Sequence, residues 1–197
     1  MGLGVLLVLS GPSGVGKGTV ADALCLRLPE LWLSVSATTR PPRPGEVDGR
    51  EYLFLDPATF DKWEEHADFV ESATVYGRRY GTPRRPLEER LAAGDDVLLE
   101  IDIQGALTVR RAFPEAVLVF LRPPSREVQG ARLEGRAADD PAEIARRLAQ
   151  AEAEEAMSAR FDHVVVNDEL ETAVSEVAAI LAGHRDPGVG GVPGKRD

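Results

Sequence analysis

The stretch Val5-Leu6-Leu7-Val8-Leu9-Ser10-Gly11-Pro12-Ser13-Gly14-Val15-Gly16-Lys17-Gly18-Thr19 decides the architecture of this chain. Its first five residues are apolar without alternation, which predicts a strand buried on both faces, as in a parallel sheet covered by helices. Glycines at 11, 14, 16 and 18 break that run, and from about Lys17 to Leu28 the pattern reads as a helix. A glycine turn that leaves a buried strand and opens a helix is the setting in which such a loop binds phosphate. Glycines let the backbone close around phosphate oxygens, and successive N–H groups point inward at the helix N-terminus. Lys17 adds a positive charge beside the β- and γ-phosphates. A turn rich in glycine for geometry alone is the plainer reading, and the placement of Lys17 counts against it.

Working outward, strand and helix keep alternating. Val97 to Ile101 reads as a buried strand after a stop at Gly94, and Gln104 to Ala112 as a helix. Val117 to Leu121 is a strand, Ser125 caps a helix through Leu133, Val164 to Val166 is a strand, and a last helix runs from about Leu170 to Ala182. This predicts an α/β domain with a parallel core sheet. Two segments break the rhythm. Residues 36–84 mix short strands (Tyr52 to Leu55, Phe69 to Val75) with one helix after Asp56, which reads as an insertion with its own small sheet. Residues 135–147 are rich in Arg, Ala and Asp and read as a charged flap, with a solvated helix start at Asp140-Pro141 as the alternative. The expected organisation is one domain over 1–184, with core segments 3–35, 85–134 and 148–184. The glycine-rich stretch 185–197 is an expected disordered tail.

Composition bounds the function. With 197 residues and 43% hydrophobic content the chain is one globular domain. A net charge of −10 argues against a nucleic-acid partner. The Val5–Leu9 run is too short to span a bilayer, follows no basic segment as a signal peptide would, and places Leu6 where myristoylation needs Ser or Thr. No membrane partner is expected. Cys25 is the one cysteine, so no internal disulfide is possible, and a reducing, cytoplasmic setting follows. Cys25 shares a helix face with Ala21 and Leu28 and reads as a small buried hydrophobe. His66, His163 and His184 lack metal-ligand spacing and read as structural or surface residues.

The second dense motif is Ser34-Val35-Ser36-Ala37-Thr38-Thr39-Arg40-Pro41-Pro42-Arg43-Pro44-Gly45-Glu46. Arg40 and Arg43 lie three apart in a proline-stiffened segment, so both guanidinium groups can face one anion, and Tyr52 and Tyr80 can add hydroxyl donors. Together with Glu71, the Tyr80-Gly81-Thr82 turn, Glu100-Ile101-Asp102-Ile103-Gln104-Gly105, Arg132-Leu133-Glu134-Gly135-Arg136 and Val166-Asn167-Asp168, this segment resembles the guanylate kinases from Val5 to about Leu181. The resemblance implies a P-loop kinase core with a parallel sheet flanked by helices, a small mixed α+β GMP-binding insertion and a short helical lid. It implies an ATP site built from Gly11, Pro12, Ser13, Gly14, Val15, Gly16, Lys17, Gly18 and Thr19, with Asn167 near the adenine. Arg40, Arg43, Tyr52 and Tyr80 would grip the GMP phosphate, and Ser36, Glu71 and Thr82 would meet guanine. Glu46, Glu100 and Asp102 complete the GMP site, Glu100 standing where many relatives have Asp. Lys17, Arg40, Arg132, Arg136 and Arg147 would stabilise the transferring phosphoryl group.

Gly18 stands where phosphate loops usually offer Ser or Thr to Mg²⁺. The Gly-Lys-Gly-Thr ending resembles that of adenylate kinases, which still use the ion. No side chain is therefore assigned to the metal, and Mg²⁺ is expected to be held mainly by phosphate oxygens and water. The chemistry agrees with these expectations. Guanine presents N1–H and N2–H₂ side by side, and a carboxylate such as Glu71 accepts from both. Adenine offers an acceptor at N1 instead, a mismatch able to support discrimination on the order of 10⁴. The acceptor phosphate, with a second pKa of about 6, needs no general base. The expected reaction is ATP-dependent phosphorylation of GMP, and dGMP, by in-line transfer, in a monomer or small homo-oligomer. A sugar-phosphate kinase would not need Ser36 and Glu71. A non-catalytic module of the same fold would have lost the phosphate loop, which is intact here.

Overall fold

The computed structural model describes residues 3–75, 77–134 and 153–185. Two sheets organise them. The larger contains β1 (Leu6–Ser10), β2 (Trp32–Leu33), β7 (Val97–Glu100), β8 (Val117–Arg122) and β9 (His163–Val166), in the order β2-β7-β1-β8-β9. All its pairings are parallel, with Leu6 opposite Val97 and Leu7 opposite Val117. The smaller sheet holds β3 (Ala37–Thr38), β4 (Leu53–Phe54), β5 (Phe69–Val75) and β6 (Arg78–Pro83), in the order β4-β3-β6-β5.

The unbroken apolar runs are explained by what covers each face. Side chains alternate across a strand, so Leu6 and Val8 of β1 point to one side and Leu7 and Leu9 to the other. The first side packs against α3 (Arg84–Ala93) and α4 (Ile103–Ala112) through Leu87, Leu91, Ala106 and Val109. The second packs against α1 (Lys17–Arg27) and α6 (Leu170–Arg185) through Val20, Leu24, Val177 and Leu181. Both faces are dry, and polar alternation has no place in the central strands. Helix α5 (Arg126–Glu134) starts where expected, with the Val128 N–H donating to Ser125 Oγ at 3.3 Å. Among the described residues no helix is long and apolar enough to cross a membrane.

The insertion's core is small. Phe60 of α2 (Pro57–Glu65) meets Phe69 of β5 with ring centroids 4.6 Å apart, and Ala37, Leu53 and Trp63 close around them. Asp56 caps α2 by accepting from the Thr59 N–H at 3.0 Å, with Pro57 in the first turn.

Several details correct the sequence reading. Tyr80-Gly81-Thr82 is not a turn but part of β6, paired antiparallel with both β3 and β5. Gly81 is there because the Phe69 ring lies against it, leaving 2.8 Å for any Cβ. Strand β2 and helix α3 were not foreseen, β2 being two residues long and α3 opening on three consecutive polar or helix-breaking residues. The last helix runs through Arg185, where a tail was expected to begin. Arg185 pairs with Asp96 and, at 3.2 Å, with Glu30. Asp96 in turn accepts from the Val5 N–H at 2.7 Å, so the end of α6 is tied to the start of β1. Cys25 is half-buried rather than buried, and burial pushes its thiol up. The lid segment 135–147, with Arg136 and Arg147, and the stretch 186–197 lie outside the described residues.

Candidate active site

The carbonyls of the loop between β1 and α1 are held by side chains. Lys17 Nζ donates to Gly11 O at 2.8 Å and Pro12 O at 3.2 Å. Gln129 Nε2 of α5 donates to Ser13 O at 2.7 Å, and Asn167 Nδ2, just past β9, to Val15 O at 2.8 Å. Arg132 reaches Val15 O at 3.4 Å and Asn167 O at 3.0 Å. With its carbonyls engaged by side chains, the loop has peptide N–H groups left to offer an anion. The first turn of α1 adds N–H donors that a helix cannot satisfy from within, at the positive end of its dipole. Glycine is obligatory at two points. Gly11, at φ 146°, leaves only 2.3 Å between a Cβ and Leu121 O, and Gly16, at φ 92°, would press a Cβ on Asn167 Nδ2 at 2.7 Å.

Two cavities share this loop. One, of about 270 Å³, is lined by Gly11, Ser13 and Lys17 of the loop, by Ser36, Tyr52, Glu71 and Tyr80 of the insertion, and by Glu100 and Asp102 at the end of β7 and the start of α4. The other, of about 420 Å³, is lined by Gly14, Gly16, Thr19, Arg132, Asn167, Asp168 and Leu170. Of the expected residues, Arg40, Arg43, Glu46 and Thr82 line neither cavity.

Glu71 is a strongly perturbed acid of the first cavity. It is 6% exposed, and burial pushes its carboxyl up to about 7, with the Thr82 hydroxyl opposing and the Asp102 charge adding to the rise. Thr82 Oγ1 donates to Glu71 Oε1 at 2.6 Å. Thr82 itself is fully buried behind Glu71, so it addresses the cavity through that carboxylate. Asp102 caps α4 by accepting from the Gly105 N–H at 2.8 Å. Tyr52 is pushed up to about 12, first by burial and then by the Glu100 charge, and stays a hydroxyl donor.

Arg40 lies over the Tyr52 ring. Its guanidinium makes a two-pronged pair with Glu46 at 2.8 and 2.9 Å and lies 5.3 Å from the Tyr52 ring centroid and 5.7 Å from that of Phe54. The paired guanidinium holds the Glu46 carboxyl down to about 2, and the Arg43 N–H adds a bond of 2.6 Å. The Arg43 side chain is exposed and lines neither cavity. At Gly18 a Cβ would lie 3.6 Å from Glu100 Oε2, so a carboxylate stands over the position that lacks a hydroxyl.

Sequence reasoning missed three residues. Gln129 of α5 holds the loop, and its sequence context gives no sign of that role. Glu154, in the helical turn 153–156, lines the first cavity with Ser13 and Lys17, and burial pushes its carboxyl up. It belongs to an Ala/Glu run that carries no signal for a site. Gly105 was quoted without a role, and it lies against Glu71. His66 caps the end of α2, while His163 and His184 touch each other, Nε2 to Nε2 at 3.4 Å, apart from both cavities.

Comparison with known proteins decides the family. The guanylate kinase family model matches residues 4–184. The chain belongs to the guanylate kinase family. A guanylate kinase of Gloeobacter violaceus is 57% identical over 176 residues, covering 89% of this chain and 86% of the relative. One from Frankia casuarinae is 53% identical over 90% of this chain and 97% of its own. The crystal structure of guanylate kinase from Anaplasma phagocytophilum superposes with a TM-score of 0.77 at 35% identity, covering 92% of this chain and 86% of that one.

Proposed function

We infer that this protein transfers the γ-phosphoryl group of ATP to GMP, and to dGMP, giving ADP and the nucleoside diphosphate. The observation that carries the reading is the cavity in which Lys17 and the phosphate loop face Ser36, Tyr52, Glu71 and Tyr80. ATP would lie with its phosphates in the loop and its base in the cavity beside Asn167. Guanine would donate N1–H and N2–H₂ to Glu71, with Ser36 beside it. Tyr52 and Tyr80 line the cavity with hydroxyls suited to the GMP phosphate, and Arg40 and Arg43 would complete that grip.

The attacking phosphate oxygen is already deprotonated near neutral pH, so the protein's work is charge placement and alignment. Lys17 would leave the Gly11 and Pro12 carbonyls for the phosphates. The Glu154 carboxylate, which lines the same cavity as Ser13 and Lys17, would give way to them. Arg132, with Arg136 and Arg147, would neutralise the transferring group. The oxygen-only surroundings provided by Glu100 and Asp102 suit a hydrated Mg²⁺ held through water, since Gly18 offers no ligand. Such an ion would supply charge neutralisation on the phosphates.

An ADP-release assay with GMP, dGMP, AMP, CMP and UMP tests the reading. GMP and dGMP should exceed AMP in kcat/KM by a factor on the order of 10⁴. Equal turnover of AMP and GMP would remove the assignment.

A further inference from the structure

We propose that Gly105 is a positioning residue for base recognition, and that Gly105 and Thr82 together clamp the Glu71 carboxylate in the orientation that reads guanine. The proposal rests on the reading of Glu71 given above.

Gly105 sits in the first turn of α4, three residues after the Asp102 cap, and its N–H is the group that cap receives. Its φ is not positive, so the backbone there does not call for glycine. By helix propensity alone alanine would be preferred by about 1 kcal/mol. What excludes a side chain is Glu71. A Cβ on Gly105 would lie 2.7 Å from Glu71 Oε2 and 3.1 Å from its Cδ, with Ile101 Cδ1 at 3.4 Å. The other oxygen, Oε1, is fixed by the Thr82 hydroxyl at 2.6 Å.

The carboxylate is therefore gripped from two sides, by a hydrogen bond at one oxygen and by contact with a bare helix backbone at the other. The direction left open is the cavity that Glu71 lines. A methyl group at 105 would push the carboxylate into the space a base has to occupy, and turn its oxygens away from two adjacent N–H donors. Because the group that moves is the end of a flexible side chain, the fold tolerates the shift. Recognition does not, since a carboxylate accepts two parallel hydrogen bonds only in a narrow range of orientations.

The test is a kinetic cycle of wild type, Gly105→Ala, Glu71→Ala and the double variant. Gly105→Ala should raise the KM for GMP by about tenfold or more, leave the KM for ATP within about twofold, and reduce kcat at saturating GMP much less than it raises KM. In the Glu71→Ala background the added methyl keeps only the ordinary contact with Ile101 Cδ1, so it should not raise the KM further. Thr82→Val, which keeps the shape and deletes the hydroxyl, should show the same split between the two substrates. If Glu71→Ala raises the GMP KM but Gly105→Ala does not, or raises it equally in both backgrounds, the clamp is wrong and the guanine reading stands. If Glu71→Ala leaves the GMP KM unchanged, both fall. Should Gly105→Ala fail to fold, Thr82→Val decides alone, and an unchanged GMP KM there overturns the clamp.

Discussion

The side-chain amide of Asn167 donates to the backbone carbonyl of Val15 at 2.8 Å, across 152 residues of chain. The amide is buried and also fills the space beside Gly16. It fixes one wall of the phosphate loop from a segment laid down near the end of the fold. Asn167→Ala leaves Val15 O with only the longer Arg132 contact, a loss worth about 1–3 kcal/mol. The KM for ATP should rise by about tenfold while that for GMP stays close to wild type. A lower melting temperature with an unchanged ATP KM would reduce the bond to a structural one.

Lys17 and Gly18 are neighbours with opposite tolerance. Gly18 has room for a side chain, with Glu100 Oε2 at 3.6 Å from a Cβ, and its N–H would survive in Ser. Gly18→Ser should keep kcat/KM within about tenfold, whereas Lys17→Met should lose about 10³-fold or more, several kcal/mol of transition-state stabilisation. The comparison is made at saturating Mg²⁺. Equal damage from both would mean that Gly18 is needed for more than its backbone.

Glu71 gives the pH dependence. Its carboxyl is raised from 4.5 to about 7, so below pH 7 it carries a proton that guanine's donors do not want. The KM for GMP should rise as pH falls from 8 to 6, by up to about tenfold per unit beyond the GMP phosphate's own contribution. In Glu71→Gln only the phosphate's contribution should remain. Identical profiles for the two proteins would clear Glu71 of the effect.

The same shift fixes a stability trend. A raised acid binds its proton more tightly in the folded state, so its contribution is present below pH 4.5 and is lost as pH rises through about 7. Glu71→Gln should therefore be more stable than wild type at pH 8 by about 1–3 kcal/mol, and the gap should close toward pH 4.5. Denaturant titrations at the two pH values measure it. A variant less stable at pH 8 would contradict the burial account.

Arg40 is oriented before any substrate arrives, by its pair with Glu46 and its place over Tyr52. Glu46→Ala should raise the GMP KM by about tenfold, through lost orientation, and leave ATP affinity unchanged. A GMP KM equal to wild type would show that Arg40 orients without its partner.

What was legible in the sequence was whatever depends on neighbours along the chain. The first buried strand, read as Val5–Leu9 and found one residue later, and the loop to Thr19 are legible because glycine spacing, apolar run and lysine all sit within fifteen residues. Ser125 and Asp56 announced their helices because a cap bonds three residues ahead. What was not legible depends on contacts across the chain. Gly81 looked like a turn signal, since nothing in its surroundings reveals the Phe69 ring that needs the space. Gln129 and Glu154 look like solvated helix residues until the loop is folded against them. Arg185 looked like the start of a tail, its partners Glu30 and Asp96 lying far back in the sequence.

The strand order carries a consequence for biosynthesis. The central strand of the large sheet is made first, yet its partners β7 and β8 begin about 90 and 110 residues later. At about 5–20 residues per second, the interval from Leu6 to Val97 lasts about 5–18 s on the ribosome. Throughout that time Leu6–Ser10, apolar on both faces, has no sheet to join. Its nascent form presents an unpaired hydrophobic edge, the kind of segment that chaperones bind and that aggregation recruits. The phosphate loop waits longer still, because the amide that braces Val15 emerges only after β9.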